Sequence, residues 1–295
     1  MRTLAAAVRF SAWASGPPEA QRLDEGALLI AEIGRPDVDH RRSIHQLDTL
    51  AAEVWAALGP STRLLRPGQV ARRESALRVL EAINEILVAR YGFHGAEDDY
   101  YNPRNSFLDD ALERHEGLPI TLSVIYLEVA RRLGAPLEGV GLPVHFMTRW
   151  PLPADEGGPI YVDAFQRGAL LDEPTTRRLI LNLLRDAGPR VFNPAWTCAA
   201  SVSEILTRML RNLKHAYLQR GETALALEAA DRLTALRPDL PEELRDRGLL
   251  RLAMGEPLLA AADIAAYLER APDAPEGGRL RRRIESIREV HVKLN

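Results

Sequence analysis

The sequence has 295 residues but a single cysteine, Cys198, so no disulfide can form within the chain. Chains with so little cysteine are typical of reducing compartments, which indicates a cytoplasmic protein. A lone cysteine of this kind is expected to be a buried, unreactive thiol, because free cysteine behaves as a small apolar residue.

Long apolar runs are also missing. No stretch reaches the roughly 20 apolar residues that a membrane-spanning helix needs, so we expect no membrane association. The apolar run Leu4–Val8 is ended by Arg9, well short of the apolar region of a signal peptide. We therefore expect no secretion signal.

The chain has no excess of basic charge. Its formal net charge is −3, with 38 basic and 41 acidic residues, which gives no reason to expect a nucleic-acid partner. The basic run Arg281–Arg283 is interpreted as the solvated face of a helix. A hydrophobic content of 46% is ordinary for a globular protein with a sizeable core.

The N-terminal third shows helical periodicity. Apolar residues recur at spacings of three and four, and each run stops at a glycine. A basic connector over Arg63–Arg73 separates the second run from the third. The predicted helices are Asp24–Ile33, His40–Leu58 and Arg73–Tyr91.

A polar loop over residues 98–105 precedes a short predicted helix, Phe107–Arg114. Asn105 or Ser106 is expected to cap that helix, since short polar side chains accept bonds from the first free amides. The acidic residues of the loop lack the spacing of oxygen ligands around a cation, so no metal site is predicted.

A second helix follows Gly117-Leu118-Pro119, because a proline is well tolerated in a first helical turn. The segment Ile120–Leu133 is apolar on more than one stripe, which predicts a helix buried on most sides. Gly134 is expected to end it in a left-handed conformation.

Two extended segments come next, Leu137–Trp150 and Pro159–Phe165, with His145 in the first and Asp163 in the second. A hairpin through residues 152–158 would place these two side chains on neighbouring strands. A carboxylate beside an imidazole fixes its tautomer, as a general base or acid requires. An equally acceptable interpretation of His145 is a core-edge histidine with a satisfied hydrogen bond.

The next segments complete this region. A short strand is predicted at Ala169–Leu171 and a helix over Pro174–Arg185. The irregular residues 188–198 are expected to mark the end of the mixed region.

Two segments of the chain resemble the bacterial SirB1 family of the transglutaminase-like superfamily. Tyr100–Phe146 reads YYNPRNSFLDDALERHEGLPITLSVIYLEVARRLGAPLEGVGLPVHF, and Ile160–Phe165 reads IYVDAF. The resemblance implies a core similar to papain-like cysteine proteases, with a cysteine at the start of the central helix and a histidine and aspartate on the strands. His145 and Asp163 match the latter two. The cysteine's place falls near Pro119, which has no nucleophile.

Two functions of different class remain open. The first is a non-catalytic protein that binds a protein or peptide partner through a groove near Asn105 and Pro119. The second is a hydrolase or acyltransferase that uses His145 and Asp163 with Thr121, Ser123 or an activated water. A hydroxyl within a helix usually bonds to a backbone carbonyl, which weakens the second hypothesis. Neither function calls for a cofactor or metal.

The last third contains an internal repeat of 34 residues, the tetratricopeptide period. Gly221, Pro238 and Asp239 recur 34 residues later as glycine, proline and aspartate. Arg247 and Arg251 occupy places where the repeat expects apolar or aromatic residues. A closing helix is predicted over Arg279–Leu294.

The predicted fold class is therefore α+β, with a helical N-terminal region, a transglutaminase-like core with a small antiparallel sheet, and C-terminal tetratricopeptide-like hairpins. The corresponding domain boundaries are 1–99, 100–197 and 198–295. We also expect the His145 imidazole to point at the first turn of the central helix. The sequence does not indicate an oligomeric state.

Overall fold

The computed structural model describes residues 2–59, 72–185 and 192–294. Nearly all of the basic connector, and part of the irregular segment at 188–198, lie outside these ranges. The chain forms two compact units, named here the core unit (residues 22–31 and 37–209) and the repeat unit (residues 1–21, 32–36 and 210–295). The three-domain boundaries from the sequence stay predictions.

The described residues are mostly helical. In chain order the helices are α1 Arg2–Ala14, α2 Leu23–Ala31, α3 His40–Leu58, α4 Arg73–Asn84, α5 Leu108–Arg114, α6 Pro119–Leu133, α7 Glu173–Leu183, α8 Val202–Gln219, α9 Thr223–Leu236, α10 Pro241–Ala253, α11 Pro257–Arg270 and α12 Gly277–Leu294. The strands are β1 His94–Gly95, β2 Glu116–Gly117, β3 Glu138–Val140, β4 Met147–Trp150, β5 Ile160–Asp163 and β6 Ala169–Leu171.

Helix α6 is the centre of the core unit, as its apolar composition predicts. Thirteen of its fifteen residues are buried, and it packs against α3, α5 and β4. Pro119 occupies its first turn, where a missing amide costs nothing. Gly134 ends it with φ of 71°, a left-handed conformation that favours glycine.

The α5 cap differs from the prediction. The residue before the helix is Phe107, which offers no side-chain cap, and not Asn105 or Ser106. Both of those residues lie in a preceding 3₁₀ turn, and the Asn105 side chain is already bonded to Arg114 and to the Asp99 carbonyl. Those contacts leave it unavailable to the α5 amides.

A buried ion cluster anchors the end of α6. Asp24 on α2 is fully buried and accepts hydrogen bonds from Arg22 at 2.8 Å and Arg132 at 2.8 Å. Glu128 is also buried and accepts from Arg131 and Arg132. Both arginines lie in the last turn of α6, where positive charge suits the negative end of the helix dipole, and they also neutralise these carboxylates.

The four-stranded sheet is antiparallel in the order β3-β4-β5-β6, with Thr148 opposite Val162 and Val162 opposite Leu170. A separate two-residue parallel ladder joins β1 to β2, which the sequence pattern did not predict. One face of the sheet contributes to an apolar cluster of Val140, Leu142, Met147, Tyr161, Ile180 and Leu184.

The extended segment Leu137–Trp150 is broken in the middle, so the prediction that His145 lies on a strand is wrong. Residues 141–146 form a turn between β3 and β4. Val144 adopts φ of 54° there, which reverses the chain and ends the alternation that the sequence suggested.

The repeat unit confirms the 34-residue repeat. Gly221 and Gly255 end α8 and α10 with φ of 72° and 77°. The described residues from 202 to 294 form helices without strands. Gly248 allows α10 and α11 to approach closely, since a Cβ there would lie 2.7 Å from an Ile264 side-chain carbon.

Arg247 and Arg251 depart from the repeat pattern for an electrostatic reason. Both donate to Asp263 on α11, at 2.6 Å and 2.8 Å, and both reach Asp231 on α9. Asp263 is only 5% exposed. Ion pairs therefore hold α10 to its two neighbours where other repeats use apolar contacts.

Helix α1 was not predicted from the sequence. Its Phe10 is fully buried in the repeat unit, where the Arg232 guanidinium lies 5.9 Å from the ring centroid. Among the described residues, no helix has the length and apolar character required to span a bilayer.

Candidate functional site

His145 and Asp163 form a hydrogen-bonded pair. The distance from His145 Nε2 to Asp163 Oδ2 is 2.9 Å, and both side chains are largely buried. The two residues are 18 positions apart in sequence, and antiparallel pairing of β4 with β5 brings them together.

Backbone contacts fix both partners. The His145 amide donates to the Leu142 carbonyl at 3.3 Å, which stabilises the β3–β4 turn. Asp163 ends β5, and its Oδ1 accepts from the amides of Phe165 at 3.1 Å and Gln166 at 3.2 Å. The other carboxylate oxygen is thereby directed at the imidazole.

This arrangement selects one imidazole tautomer. A carboxylate is an acceptor only, so Nε2 carries the proton that bonds to Asp163. His145 Nδ1 then presents a lone pair, and within the described ranges it bonds to no protein group. The pair is set up to accept a proton or to receive a hydrogen bond from a ligand.

A second polar cluster holds the turn after Asp163. Tyr126 on α6 donates to Asn84 Oδ1 at 2.9 Å, and Asn84 Nδ2 donates to the Gly168 carbonyl at 2.8 Å. Burial raises the pKa of the Tyr126 phenol well above its ordinary value, with the charge of Asp163 acting in the same direction. The phenol therefore stays protonated and remains a donor at neutral pH.

Removal of this phenol tests the cluster. The variant Tyr126→Phe is expected to lose about 1–3 kcal/mol of unfolding free energy, because Asn84 Oδ1 is left buried without its donor. Urea denaturation measures the loss. The matched change Tyr91→Phe, whose hydroxyl bonds to Glu53 at 2.6 Å nearer the surface, should cost less. Equal losses would show that the Tyr126–Asn84 hydrogen bond stabilises the fold no more than the more exposed Tyr91–Glu53 bond does.

The predicted nucleophile positions are buried. Thr121 and Ser123 are fully buried, and their hydroxyl oxygens have no hydrogen-bond partner among the described residues. Neither is therefore bonded to His145. Pro119 is also buried at the start of α6.

Asn105 reaches the start of α6 through its backbone. Its carbonyl accepts from the amide of Leu118, the residue before Pro119, at 3.0 Å. Its amide side chain is bonded to Arg114 and to the Asp99 carbonyl. Asn105 and Pro119 thus lie next to each other, and their role in a groove stays a prediction.

An aromatic surface adjoins the pair. The rings of Tyr101, Tyr100, Phe165 and His145 contact one another in series, with centroid separations of 5.3, 6.1 and 6.5 Å. Tyr101 is 54% exposed, and Val144 beside His145 is also exposed. These aromatic residues carry no pattern of spacing that predicts a surface, and the paired tyrosines Tyr100-Tyr101 are the one sequence feature that points to them.

A polar cleft of about 280 Å³ opens beyond the end of β5. It is lined by His94, Gly95, Glu97, Asp98, Glu116, Phe165, Gln166 and Arg167. His145, Asp163 and the other predicted site residues do not line it. In the described part of the chain, no three acidic, histidine or cysteine side chains are grouped so as to hold a metal ion.

Cys198 differs from its predicted environment. The thiol is exposed, not buried, in the segment that leads to α8. The neighbouring Ala199 pairs with Val140 as an isolated bridge, and Arg149 on β4 donates to the Thr197 carbonyl at 2.6 Å, so this segment is tied to the sheet beside the thiol.

Comparison with known proteins identifies two families that the chain matches. The family model described as transglutaminase-like superfamily matches residues 41–211, and that described as tetratricopeptide repeat matches residues 213–285. The chain is 40% identical over 254 residues to a UPF0162 protein of Xylella fastidiosa, covering 83% of each. It is 32% identical over 249 residues to F-box only protein 21 of Mus musculus, covering 78% of this chain and 38% of the relative.

A more distant relative carries the name that the sequence motif suggested. Protein SirB1 of Salmonella typhimurium is 24% identical over 273 residues, covering 92% of this chain and 95% of the relative. No solved structure is significantly similar. From the 171-residue core match and these relatives, the chain belongs to the transglutaminase-like superfamily, in the SirB1 family, and carries tetratricopeptide repeats in its last third.

Proposed function

We propose that this protein is a non-catalytic transglutaminase-like protein that binds a protein or peptide partner through its core unit and its repeats. The observation that carries the proposal is the absence, among the described residues, of a hydroxyl or thiol bonded to His145. Covalent catalysis by a histidine pair needs a nucleophile within hydrogen-bond reach of the base.

The aromatic surface supports a binding role. Tyrosine residues are enriched where proteins contact partners, because they bury a large area at little conformational cost. Tyr100 and Tyr101 form such a patch, and its ring series ends at His145, whose Nδ1 can accept a hydrogen bond from a partner's amide. The surface combines apolar area with one directional polar group.

The repeat unit supports the same role independently. Tetratricopeptide repeats generally mediate protein–protein interaction, and the chain has two hairpins with a closing helix. Either unit could thus contribute binding surface on its own.

A second candidate function is a hydrolase that activates water. The observation in its favour is the intact pair, with Nδ1 of His145 free to accept a proton from a water molecule. This function needs no Thr121 or Ser123, so their burial does not count against it.

A peptide array discriminates the two functions. The full-length protein is applied to immobilised random 12-residue peptides, and peptides that bind are resynthesised for affinity measurement and for mass spectrometry after incubation. We expect binding without cleavage. Replacing Tyr101 by alanine should weaken binding at least about tenfold, the effect of losing an interface aromatic worth about 1.4 kcal/mol.

Trp55→Ala provides the control, since Trp55 is a comparably exposed aromatic (52%) on α3 and lies outside the aromatic surface. Its affinity should match the wild type. Cleavage that disappears in His145→Ala would replace the binding proposal with the hydrolase. Equal loss in the Tyr101 and Trp55 variants would reject the aromatic surface as the contact.

Alkylation tests the thiol. Because Cys198 is exposed, iodoacetamide is expected to modify it, and peptide binding is expected to be unchanged. Mass spectrometry confirms the modification, and Cys198→Ser should bind as the wild type does. A loss of binding in both would place the thiol in the functional surface.

A further inference from the structure

Arg208 on α8 lies beside the turn that carries His145, within the core unit. Its Nη1 donates to the Leu142 carbonyl at 2.7 Å, the same oxygen that accepts from the His145 amide. Its guanidinium carbon lies 5.6 Å from the centroid of the Phe146 ring. The guanidinium is thus held in place next to the His145–Asp163 pair.

This guanidinium has no anionic partner in the described part of the chain. No carboxylate there lies within 4 Å, and one of its five N–H donors is used. Two arginines near the same sheet and helices are paired, Arg149 with Glu138 at 2.9 Å and Arg114 with Glu116 at 2.6 Å. A partly buried charge without a counter-ion is costly, which favours binding of an external anion.

The surroundings of Arg208 also leave its charge uncompensated. Burial lowers the pKa of Arg208 below its ordinary value, although a guanidinium stays protonated in proteins. The phenol of Tyr100 interacts with it electrostatically, and burial raises the pKa of that phenol, so it stays neutral at neutral pH. A single positive charge therefore faces the aromatic surface.

We propose that Arg208 is the anion-binding residue of the His145–Asp163 site and that the group it binds is a carboxylate on a peptide. The planar fork of a guanidinium matches the two oxygens of a carboxylate. One guanidinium balances the single charge of a carboxylate, whereas a phosphate group would carry up to about −2. This inference rests on the proposed peptide-binding function and names the chemistry of the partner.

Small probes test the assignment in the full-length protein. Four probes are titrated separately. Two are N-acetyl-Gly-Phe with a free C-terminal carboxylate and the same peptide as its C-terminal amide. The others are N-acetyl-glutamic acid α-amide, in which only the side-chain carboxylate is free, and inorganic phosphate. Binding is followed through the Arg208 Nε–H resonance and the His145 ring signals by NMR. We expect the free C-terminal or side-chain carboxylate to bind at least about tenfold more tightly than the amide, equivalent to about 1.4 kcal/mol.

Variants separate binding from a structural role. Arg208→Gln should remove the preference for the acid, and Arg208→Lys should restore part of it, with thermal unfolding reporting whether each variant folds. Arg177→Gln is the control, because the Arg177 guanidinium also lies over a phenylalanine ring, 4.5 Å from the centroid of Phe192. It should keep the full preference.

Each remaining outcome decides against the assignment. A preference that survives Arg208→Gln, or phosphate binding as tightly as the acid, would overturn it. Equal binding of acid and amide would overturn it while leaving peptide binding intact. Binding by neither peptide probe would overturn both this inference and the proposed function at this surface. The two carboxylate probes distinguish a C-terminal group from an acidic side chain.

Discussion

Replacing Gly168 by alanine is expected to lower the unfolding free energy by about 3–5 kcal/mol, from left-handed strain and overpacking together. Gly168 adopts φ of 71°, and a Cβ there would lie 2.2 Å from Asn84 Oδ1 and 2.6 Å from the Tyr126 hydroxyl. Neither atom can retreat without breaking the bond between them. The turn that follows Asp163 would shift, so peptide binding should also fall.

Gly158→Ala separates the two causes. Gly158 has nearly the same φ, 72°, but nothing lies within 4 Å of its Cβ position. It should cost about 1–2 kcal/mol, the left-handed strain alone. Urea denaturation of both variants measures the difference. Equal losses would mean that Asn84 and Tyr126 move aside at little cost in free energy and do not hold the turn after Asp163 in place.

The second large effect is expected from Asp24→Ala, which removes the carboxylate at the centre of the α6 ion cluster. Breaking a buried ion pair from one side typically costs about 3–5 kcal/mol. The matched change is Asp48→Ala, because Asp48 bonds to the same Arg132 at 2.6 Å but is 57% exposed. It should cost less than about 1 kcal/mol.

The pH dependence of stability follows from the same carboxylate. Burial by itself raises the pKa of Asp24, but hydrogen bonds from Arg22 and Arg132 outweigh it and bring the pKa well below its ordinary value. The folded pKa thus lies below the unfolded value of about 4, so this stabilisation is full above that pH and is lost as the pH falls further. Asp24→Ala should flatten the acid limb of the stability curve. An unchanged limb would exclude Asp24 as its source.

The sequence was most informative where the structure depends on local pattern. The apolar run after Pro119 predicted α6 with its observed end at Leu133, and the strand predicted at Ala169–Leu171 is β6. The spacing of Gly221 and Gly255 predicted the repeats. Each of these signals is confined to neighbouring residues or to a fixed period.

Contacts between distant segments could not be predicted in this way. Asn84 meets Tyr126 and Gly168 across 42 and 84 residues, and hydrogen bonds of that kind leave no periodic trace. His145 was assigned to a strand because alternation continues through the turn that Val144 creates. Arg208 has the spacing of an ordinary helix-surface residue, so the sequence pattern does not distinguish it.

The ion pairs of Arg247 and Arg251 limit how freely the second hairpin could be exchanged for a repeat from another protein. Asp263 on α11 would be exchanged together with these arginines, but a donor hairpin with apolar residues at their positions would leave Asp231 on α9 without its cations. A donor hairpin would keep the link to Asp231 only if it carried basic residues at both positions. Ion pairs therefore match the two hairpins to each other. A single repeat could be exchanged without loss only if the arginines on α10 and the aspartate on α9 were kept as a set.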